Sequence, residues 1–284
     1  MIKIAATVIL YNPDRDVISN IYTYLEQVDK LYVIDNSEII SQFIKNEFIK
    51  NQKVFYIANY ENIGIASALN KALNKAEEDG YEFLLTMDQD SYFDNQVVEK
   101  MLNRIDEDEG IAIISARHQY PVGKKAAKVN DDAIDNLVAM TSGNIVRVKL
   151  LRSIGGYKED LFIDYVDHEI CLRLNSLGYK IKILDDYKVI HSLGSVIEEK
   201  FLWKKVYPTN HSPIRIYYQT RNRLFVYKAY RRIFPDYFKS ETINFFKNIF
   251  RVVLFEDQKR KKIKFIFRGY HDFKKGIFGE YKEN

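Results

Sequence analysis

Two carboxylates one residue apart, Asp88 and Asp90, stand at the end of the apolar run Phe83-Leu84-Leu85-Thr86-Met87. Ionised carboxylates at the edge of a core are costly unless paired or metal-bound. Oxygen ligands of this kind suit Mg2+ or Mn2+, whose sites commonly combine one or two carboxylates with substrate phosphates. A cation held there would neutralise a departing diphosphate. Read alone, Asp88-Gln89-Asp90 fits equally a solvated turn with a helix cap at Asp90 or Asp94. Two more segments bear on the choice. Asn62-Ile63-Gly64-Ile65-Ala66-Ser67-Ala68 sets a glycine and small residues at a helix start, where backbone approaches a ligand closely and N–H groups attract anions. It reads equally as a plain capped amphipathic helix. Val33-Ile34-Asp35-Asn36-Ser37 ends a strand on an Asp that could accept from a base or ribose, or close an ordinary Asx turn.

The elements that must position these groups follow from periodicity. Residues 4–10, 31–34, 54–57, 83–87 and 111–115 read as buried strands. Ile65, Leu69, Ala72, Leu73 and Ala76 mark one helix face, closed by Gly80; Val97, Met101, Leu102 and Ile105 mark another. This alternation predicts an α/β fold with a mostly parallel sheet flanked by helices, and ligands beyond the carboxyl ends of its strands. Asn12, Asp35, Asn36, Asp88 and Asp90 fall there. Further on, a strand is expected over 141–148, a helix over 167–177 with Gly178 as its stop, and short strands at 181–184 and 187–190. After about Trp203 the chain turns to helices rich in Tyr, Phe, Lys and Arg.

A hydrophobic fraction of 46% in 284 residues argues for a folded chain, and a net charge of +4 is too small to imply nucleic acid. The lone Cys171 excludes an internal disulfide and a cysteine-rich zinc site. The start of the chain lacks the features of a secretion signal, and no apolar run approaches the ~18 residues of a membrane span. The expectation is a cytoplasmic protein.

In order and spacing the motifs resemble the family-2 inverting glycosyltransferases of GT-A fold, most closely their bacterial rhamnosyltransferase-like branch. The match rests on Val8-Ile9-Leu10-Tyr11-Asn12-Pro13, Val33 to Ser37, Asn62 to Ala66 and Asp88-Gln89-Asp90. It continues in Thr141-Ser142-Gly143-Asn144, Gly155-Gly156-Tyr157, Phe162 to Glu169 and Val189 to Ser195, so it covers about the first 225 residues. The resemblance implies a Rossmann-like GT-A catalytic domain over 1–205 and a helical, basic and aromatic extension over 206–284. It implies that Tyr11, Asn12, Asp35, Asn36, Asn62 and Gly64 bind the nucleotide, with Asp88 near the ribose. It puts Asp90 on a divalent metal, His191 on that metal or against the diphosphate (a structural histidine is its other reading), and Ser142, Gly143 and Asn144 near donor or acceptor sugar. Arg221, in an Arg-Asn element after the core, would meet phosphate or acceptor; a solvated helix face is its other reading. Asp167 matches the second residue of the family's Glu-Asp pair, the general base. Val166 stands where that pair has Glu, so Glu169 is kept as runner-up and Asp164 as third. An acceptor hydroxyl attacking the anomeric carbon needs one carboxylate within hydrogen-bond reach, and the start of a helix favours its ionised form.

In the extension, Phe245, Phe246, Ile249, Phe250, Val253 and Leu254 recur at helical spacing, followed by Lys259-Arg260-Lys261-Lys262. An anionic membrane surface, a docked helix with a solvated basic face, and a dimer interface all fit. The expected function is transfer of a sugar, rhamnose first, from a nucleoside-diphosphate sugar to a saccharide or lipid-linked saccharide in cell-surface polysaccharide synthesis. Two rivals stand beside it. A nucleotidyltransferase would show a Gly-rich basic signature, which residues 5–14 lack. A non-catalytic carbohydrate-binding or scaffold protein has no reason to keep Asp88, Asp90 and Asp167 together.

Overall fold

Alternate residues along the first strands feed two different cores. Ala6, Val8 and Leu10 pack with Leu31, Val33, Phe83, Leu85 and Met87 on one face of a sheet; Ala5, Ile9, Tyr32, Ile34 and Leu84 pack on the other. A strand buried on both faces is what a central parallel sheet demands. The computed structural model describes residues 3–119, 137–191, 199–201, 204–206 and 210–283, leaving aside the side chains of 199–201, 204–206 and Val253. The tail of the Val189 to Ser195 motif, Ser192 onward, and Trp203 lie outside the described residues.

The chain runs β1 (Ile4–Leu10), α1 (Asp16–Leu25), β2 (Lys30–Asp35), α2 (Gln42–Phe48), β3 (Val54–Ala58), α3 (Ile65–Glu78), β4 (Phe83–Asp88) and β5 (Ser91–Phe93). It continues through α4 (Val98–Asp106), β6 (Ile111–Gln119), β7 (Asn144–Arg147), α5 (Val148–Ser153), α6 (Val166–Ser176) and β8 (Lys180–His191). A small ladder, β9 (Glu199–Phe201) with β10 (Lys204–Val206), precedes α7 (Pro213–Tyr230), α8 (Pro235–Phe255) and α9 (Lys259–Lys275). The sheet order is β3-β2-β1-β4-β7-β6-β8-β5. Six strands point one way; β7 and β5 run against them. Helices α1, α2 and α4 cover one face and α3, α5 and α6 the other. The mostly parallel sheet and the helical extension form as expected. The two short strands expected at 181–184 and 187–190 are one strand, β8, and the strand expected over 141–148 is confined to β7. Strand β5, three residues long, carried no hydrophobic pattern of its own.

The turn before α6 is the least ordinary backbone in the fold. Phe162, Asp164 and Tyr165 hold φ of 65°, 63° and 64°. Non-glycine residues there cost on the order of 1–3 kcal/mol each unless the surroundings hold them. Helix α7 does the holding. The Asn222 amide nitrogen lies 2.7–2.9 Å from the carbonyl oxygens of Leu161, Ile163 and Asp164. Arg221, fully buried, donates to the carbonyls of Asp160 and Leu161 from the same helix. On the other side, the Phe162 carbonyl accepts from Ile65 N–H at 2.7 Å and caps α3. Gly64, at φ 81°, allows this approach: a Cβ there would sit 2.6 Å from the Phe162 ring and 2.8 Å from its carbonyl oxygen. Gly156 makes a similar concession to Asn70, whose side chain bonds both N–H and C=O of Tyr157.

Asn222→Ala takes the amide from all three carbonyls and leaves those of Ile163 and Asp164 without a side-chain donor. It should lower the unfolding free energy by on the order of 3 kcal/mol, read as a lower urea midpoint at unchanged m-value. Lys228→Ala, exposed on the same helix, should change it by less than about 0.5 kcal/mol. Equal effects would refute the latch.

Candidate active site

Asp88 ends β4 and Asp90 follows the turn into β5. The antiparallel pairing of β5 with β8 puts Ser91 opposite His191. Ser91 Oγ lies 2.7 Å from His191 Nδ1, and Asp90 Oδ1 lies 3.5 Å from the same nitrogen. One ligand atom from each of Asp88, Asp90 and His191 therefore falls within a 4.8 Å circle. The Asp88 main-chain N–H donates to Ser142 Oγ at 3.0 Å, which fixes the end of the strand. Burial pushes the Asp88 carboxyl up to about 6; Asp90 and Asp167 push the same way, His191 and Arg215 against it. Two carboxylates crowded beside an imidazole favour a divalent cation in physical terms, because the cation relieves their repulsion. The donor set fits Mg2+ or Mn2+, with Asp88, Asp90 and His191 as its holders.

Across a cleft of about 770 Å³ from this trio stands the start of α6, with Asp164, Asp167 and His168. Asp167 Oδ1 accepts from His168 N–H at 2.8 Å and lies 2.8 Å from His168 Nδ1. Burial would raise the Asp167 carboxyl, but the His168 charge and these hydrogen bonds outweigh it and hold the group below the usual carboxylate range. Burial alone would lower His168; Asp167 instead raises it, so the two form an ion pair. The His168 ring packs against Tyr165 and Tyr237, centroids 4.7 and 6.4 Å away. Asp164 is pushed up by burial, against the pull of Arg215. Its Oδ2 has no hydrogen-bond partner among the described residues.

The glycosyl transferase family 2 model matches residues 8–165, more than half the chain. The chain belongs to glycosyl transferase family 2. As a glycosyltransferase it is similar to the dTDP-rhamnosyl transferase RfbF of Shigella flexneri, at 30% identity over 239 residues, 78% of either chain. In structure it resembles S. aureus TarS 1–349 in complex with UDP-GlcNAc, with TM-score 0.60, 16% identity, and coverage of 97% of this chain and 82% of that one. It also resembles the mannosyltransferase PcManGT from Pyrobaculum calidifontis in complex with GDP-Man and Mn2+, with TM-score 0.57, 12% identity, and coverage of 81% and 64%. GalNAc-T7 with UDP, GalNAc and Mn2+ gives TM-score 0.61 and 13% identity, covering 98% of this chain and 56% of that one. The chain spans 43% of a longer TarS chain. These likenesses show the GT-A fold.

In this glycosyltransferase, Asp88, Asp90, His191 and Asp167 line one cleft, and Asp88, expected near the ribose, falls within the group of Asp90 and His191. The other expected residues divide. Tyr11 is 43% exposed at the end of β1, and Asn12 is exposed at φ 45° with its N–H on Ser37 Oγ. Gln89, between the two aspartates, bonds both N–H and C=O of Tyr11, at 2.9 and 3.3 Å, and so ties β1 to the metal turn. Asp35 is fully buried: Oδ1 accepts from Ser37 N–H, and Oδ2 accepts from the Tyr56 hydroxyl. Asn36 bonds the Gly64 carbonyl and Asn59, and Asn62 bonds Gly64 N–H. Asp35 and Asn36 brace the loop through these bonds, and Asn62 Oδ1 holds the Gly64 N–H. Because Phe162 caps α3, the helix start around Gly64 is engaged by protein and not open to an anion. Gly143 presses on Val189, and Asn144 pairs within the sheet, so Ser142, Gly143 and Asn144 act from below the site.

Two expectations are corrected. Arg221 neither reaches the cleft nor lies on a solvated face. Its five N–H groups meet Asn222, the Tyr217 hydroxyl and the carbonyls of Gly279, Asp160 and Leu161, which leaves none for a phosphate. Glu169 lies two residues from Asp167, about 200° around a helix, and faces away. It is buried against Arg173 and the Tyr230 hydroxyl, both at 2.9 Å. A residue the sequence did not flag is His118, at the end of β6. Its ring is 5.9 Å from His191, its Nε2 is 2.8 Å from the Ser142 carbonyl, and burial pushes it down to about 4. The only signal was a histidine just past the apolar run 111–115.

Mn2+ added to the apo protein should raise its melting temperature, because binding to the folded state alone stabilises it. Asp90→Ala should fold and lose that rise. An equal rise in wild type and variant, measured by thermal shift, would remove the metal from this trio.

Proposed function

We propose that the enzyme transfers a sugar, with inversion, from a nucleoside-diphosphate sugar to a hydroxyl of a saccharide or lipid-linked saccharide. The carrying observation is the single cleft that the Asp88-Asp90-His191 trio and Asp167 line together. Its volume suits a nucleotide sugar. A deoxythymidine-diphosphate-rhamnose donor is favoured by the 30% identity to the Shigella flexneri enzyme. A cytoplasmic site of action and a role in cell-surface polysaccharide synthesis go with that donor.

When bound, a divalent cation supplies charge against the departing diphosphate. Asp88, Asp90 and His191 hold that end of the donor. Asp167 takes the acceptor proton. Its Oδ1 is held by His168, and its depressed pKa keeps the carboxylate ionised at neutral pH. A weak base suffices, because the acceptor oxygen loses basicity and becomes acidic as its bond to the anomeric carbon forms. Tyr11 and Asn12, accessible at the end of β1, face the nucleoside; Ser142, Gly143 and Asn144 shape the floor under the sugar.

Asp167→Asn keeps the side-chain shape and removes the proton acceptor. Turnover should fall by about 10²–10⁴-fold with donor affinity little changed. Glu169→Gln should lower stability through its Arg173 pair yet leave turnover near wild type. Near-normal turnover of Asp167→Asn in a steady-state assay would overturn the base assignment.

The His168 pair gives a pH signature. Asp167 is lowered, so its contribution to stability is present above the ordinary carboxylate pKa and lost as pH falls through the folded value. His168 is raised, so its contribution is present below the ordinary histidine pKa and lost as pH rises through the folded value. His168→Gln removes the cation that holds Asp167 down. The acid limb of kcat/KM should therefore move to higher pH. An unmoved limb would separate His168 from the base.

A further inference from the structure

Helix α8 carries two opposed faces. Glu241, Asn244, Asn248 and Val252 line the cleft. Ile243, Phe246, Phe250 and Leu254 each follow one of them by two positions, and are 50%, 65%, 56% and 37% exposed. Two positions turn about 200° around a helix and eleven rise about 16 Å. A continuous apolar stripe of that length thus points away from the cleft into solvent. Exposed apolar residues scattered singly are ordinary; a stripe along one helix face is not.

Charge identifies what the stripe meets. Between Pro235 and Lys275 stand eleven Lys and Arg against five Asp and Glu, while the whole chain is only +4, so the remainder is net acidic. Three of the five acids are turned inward: Glu241 pairs with Arg223, Glu256 with Lys262 and Asp272 with Arg268. Lys239 and Lys247 are exposed along the stripe, and Lys259, Arg260, Lys261 and Lys264 are exposed on the first turns of α9, beside the 69% exposed Phe267. No helix among the described residues is long and apolar enough to cross a membrane. A second copy of this chain is a poor occupant, because a twofold contact through this face would set its basic side chains against their equals.

We propose that the α8–α9 surface seats on a membrane carrying anionic lipid, and that it brings the cleft to an acceptor held in that bilayer. Phenylalanine rings enter the boundary between headgroups and acyl chains, and lysines within a Debye length of the headgroups add attraction that salt screens. Since one helix lines the cleft and carries the stripe, seating fixes the cleft close to the bilayer surface. The docking does not depend on the glycosyl-transfer reading; only the nature of the acceptor rests on it.

The test uses the full chain and vesicles of phosphatidylcholine with or without phosphatidylglycerol. Flotation with the anionic vesicles only, reversed by high salt, is expected. The double variant Phe246→Asp/Phe250→Asp should lose about tenfold or more of that partitioning, with an unchanged melting temperature and unchanged transfer to a water-soluble acceptor. Equal recovery on both vesicles, or an unaffected double variant, would overturn the docking. So would a wild-type dimer that the double variant splits without any vesicle binding, which would make the partner a second copy. Vesicle binding with no gain in transfer to a vesicle-held acceptor over a soluble one would overturn the acceptor half alone. Loss of all transfer in wild type would strike the glycosyl-transfer reading and leave the docking result standing.

Discussion

Three non-glycine residues held at positive φ, Phe162, Asp164 and Tyr165, set the position of the proposed base, and the amide of Asn222 holds them. Asp167 lies in the first turn of α6, whose N-cap is Tyr165. If the turn relaxed to ordinary dihedrals, the helix would start elsewhere and the carboxylate would leave the cleft. Arg221 and Asn222 prevent this from a helix about sixty residues further along the chain. The Tyr165 hydroxyl then bonds Glu241, which pairs with Arg223, so the same strained turn is tied to α8 as well. The C-terminal helices thus help position the proposed base, because they supply the contacts that offset the backbone cost of the turn.

The Asp88-Asp90-His191 trio depends on a different constraint. Asp88 and Asp90 are one residue apart in sequence, but His191 is a hundred residues away and reaches them only because three residues of β5 pair antiparallel with the end of β8. A parallel sheet places its ligands beyond the carboxyl ends of its strands. Here β5, running backwards at the sheet edge, folds the loop after β4 over the end of β8. Gln89 completes the arrangement by binding the backbone of Tyr11. The middle residue of Asp88-Gln89-Asp90 therefore has a task of its own.

The sheet was legible because its strands are apolar on both faces and its helices repeat every three to four residues. Asp88, Asp90, Asp167 and His191 were legible as a set through motif order. Spacing alone said nothing about the side chains that carry those motifs from below. Asp35, Asn36, Asn62 and Gly64 sit in matching motifs, and the bonds they make to backbone, Tyr56 and Asn59 were not readable from spacing. Arg221 was read toward phosphate or acceptor because its Arg-Asn element resembles the family's. The carbonyls that occupy it lie some sixty residues away, in the turn before α6 and near the C-terminus. Glu169 shows the simplest limit: two carboxylates two apart look interchangeable in a list of residues and face opposite ways on a helix. Strand β5 and His118 escaped because one is three residues long and the other lies past the apolar stretch that marks its strand.

Electrostatics joins the two halves. Asp88, Asp90, Asp164 and Asp167 line one cleft, with His168 and Arg215 among its other lining side chains. Asp167 and His168 neutralise each other at contact distance, and Arg215 pairs with Asp164. Burial raises both Asp88 and Asp164, and neighbouring carboxylates add to the rise. A site built this way repels a diphosphate unless positive charge arrives with it. The acidic excess is thus a reason for a cation to enter with the donor. Asp167, the proposed base, is held in its ionised form by the His168 beside it.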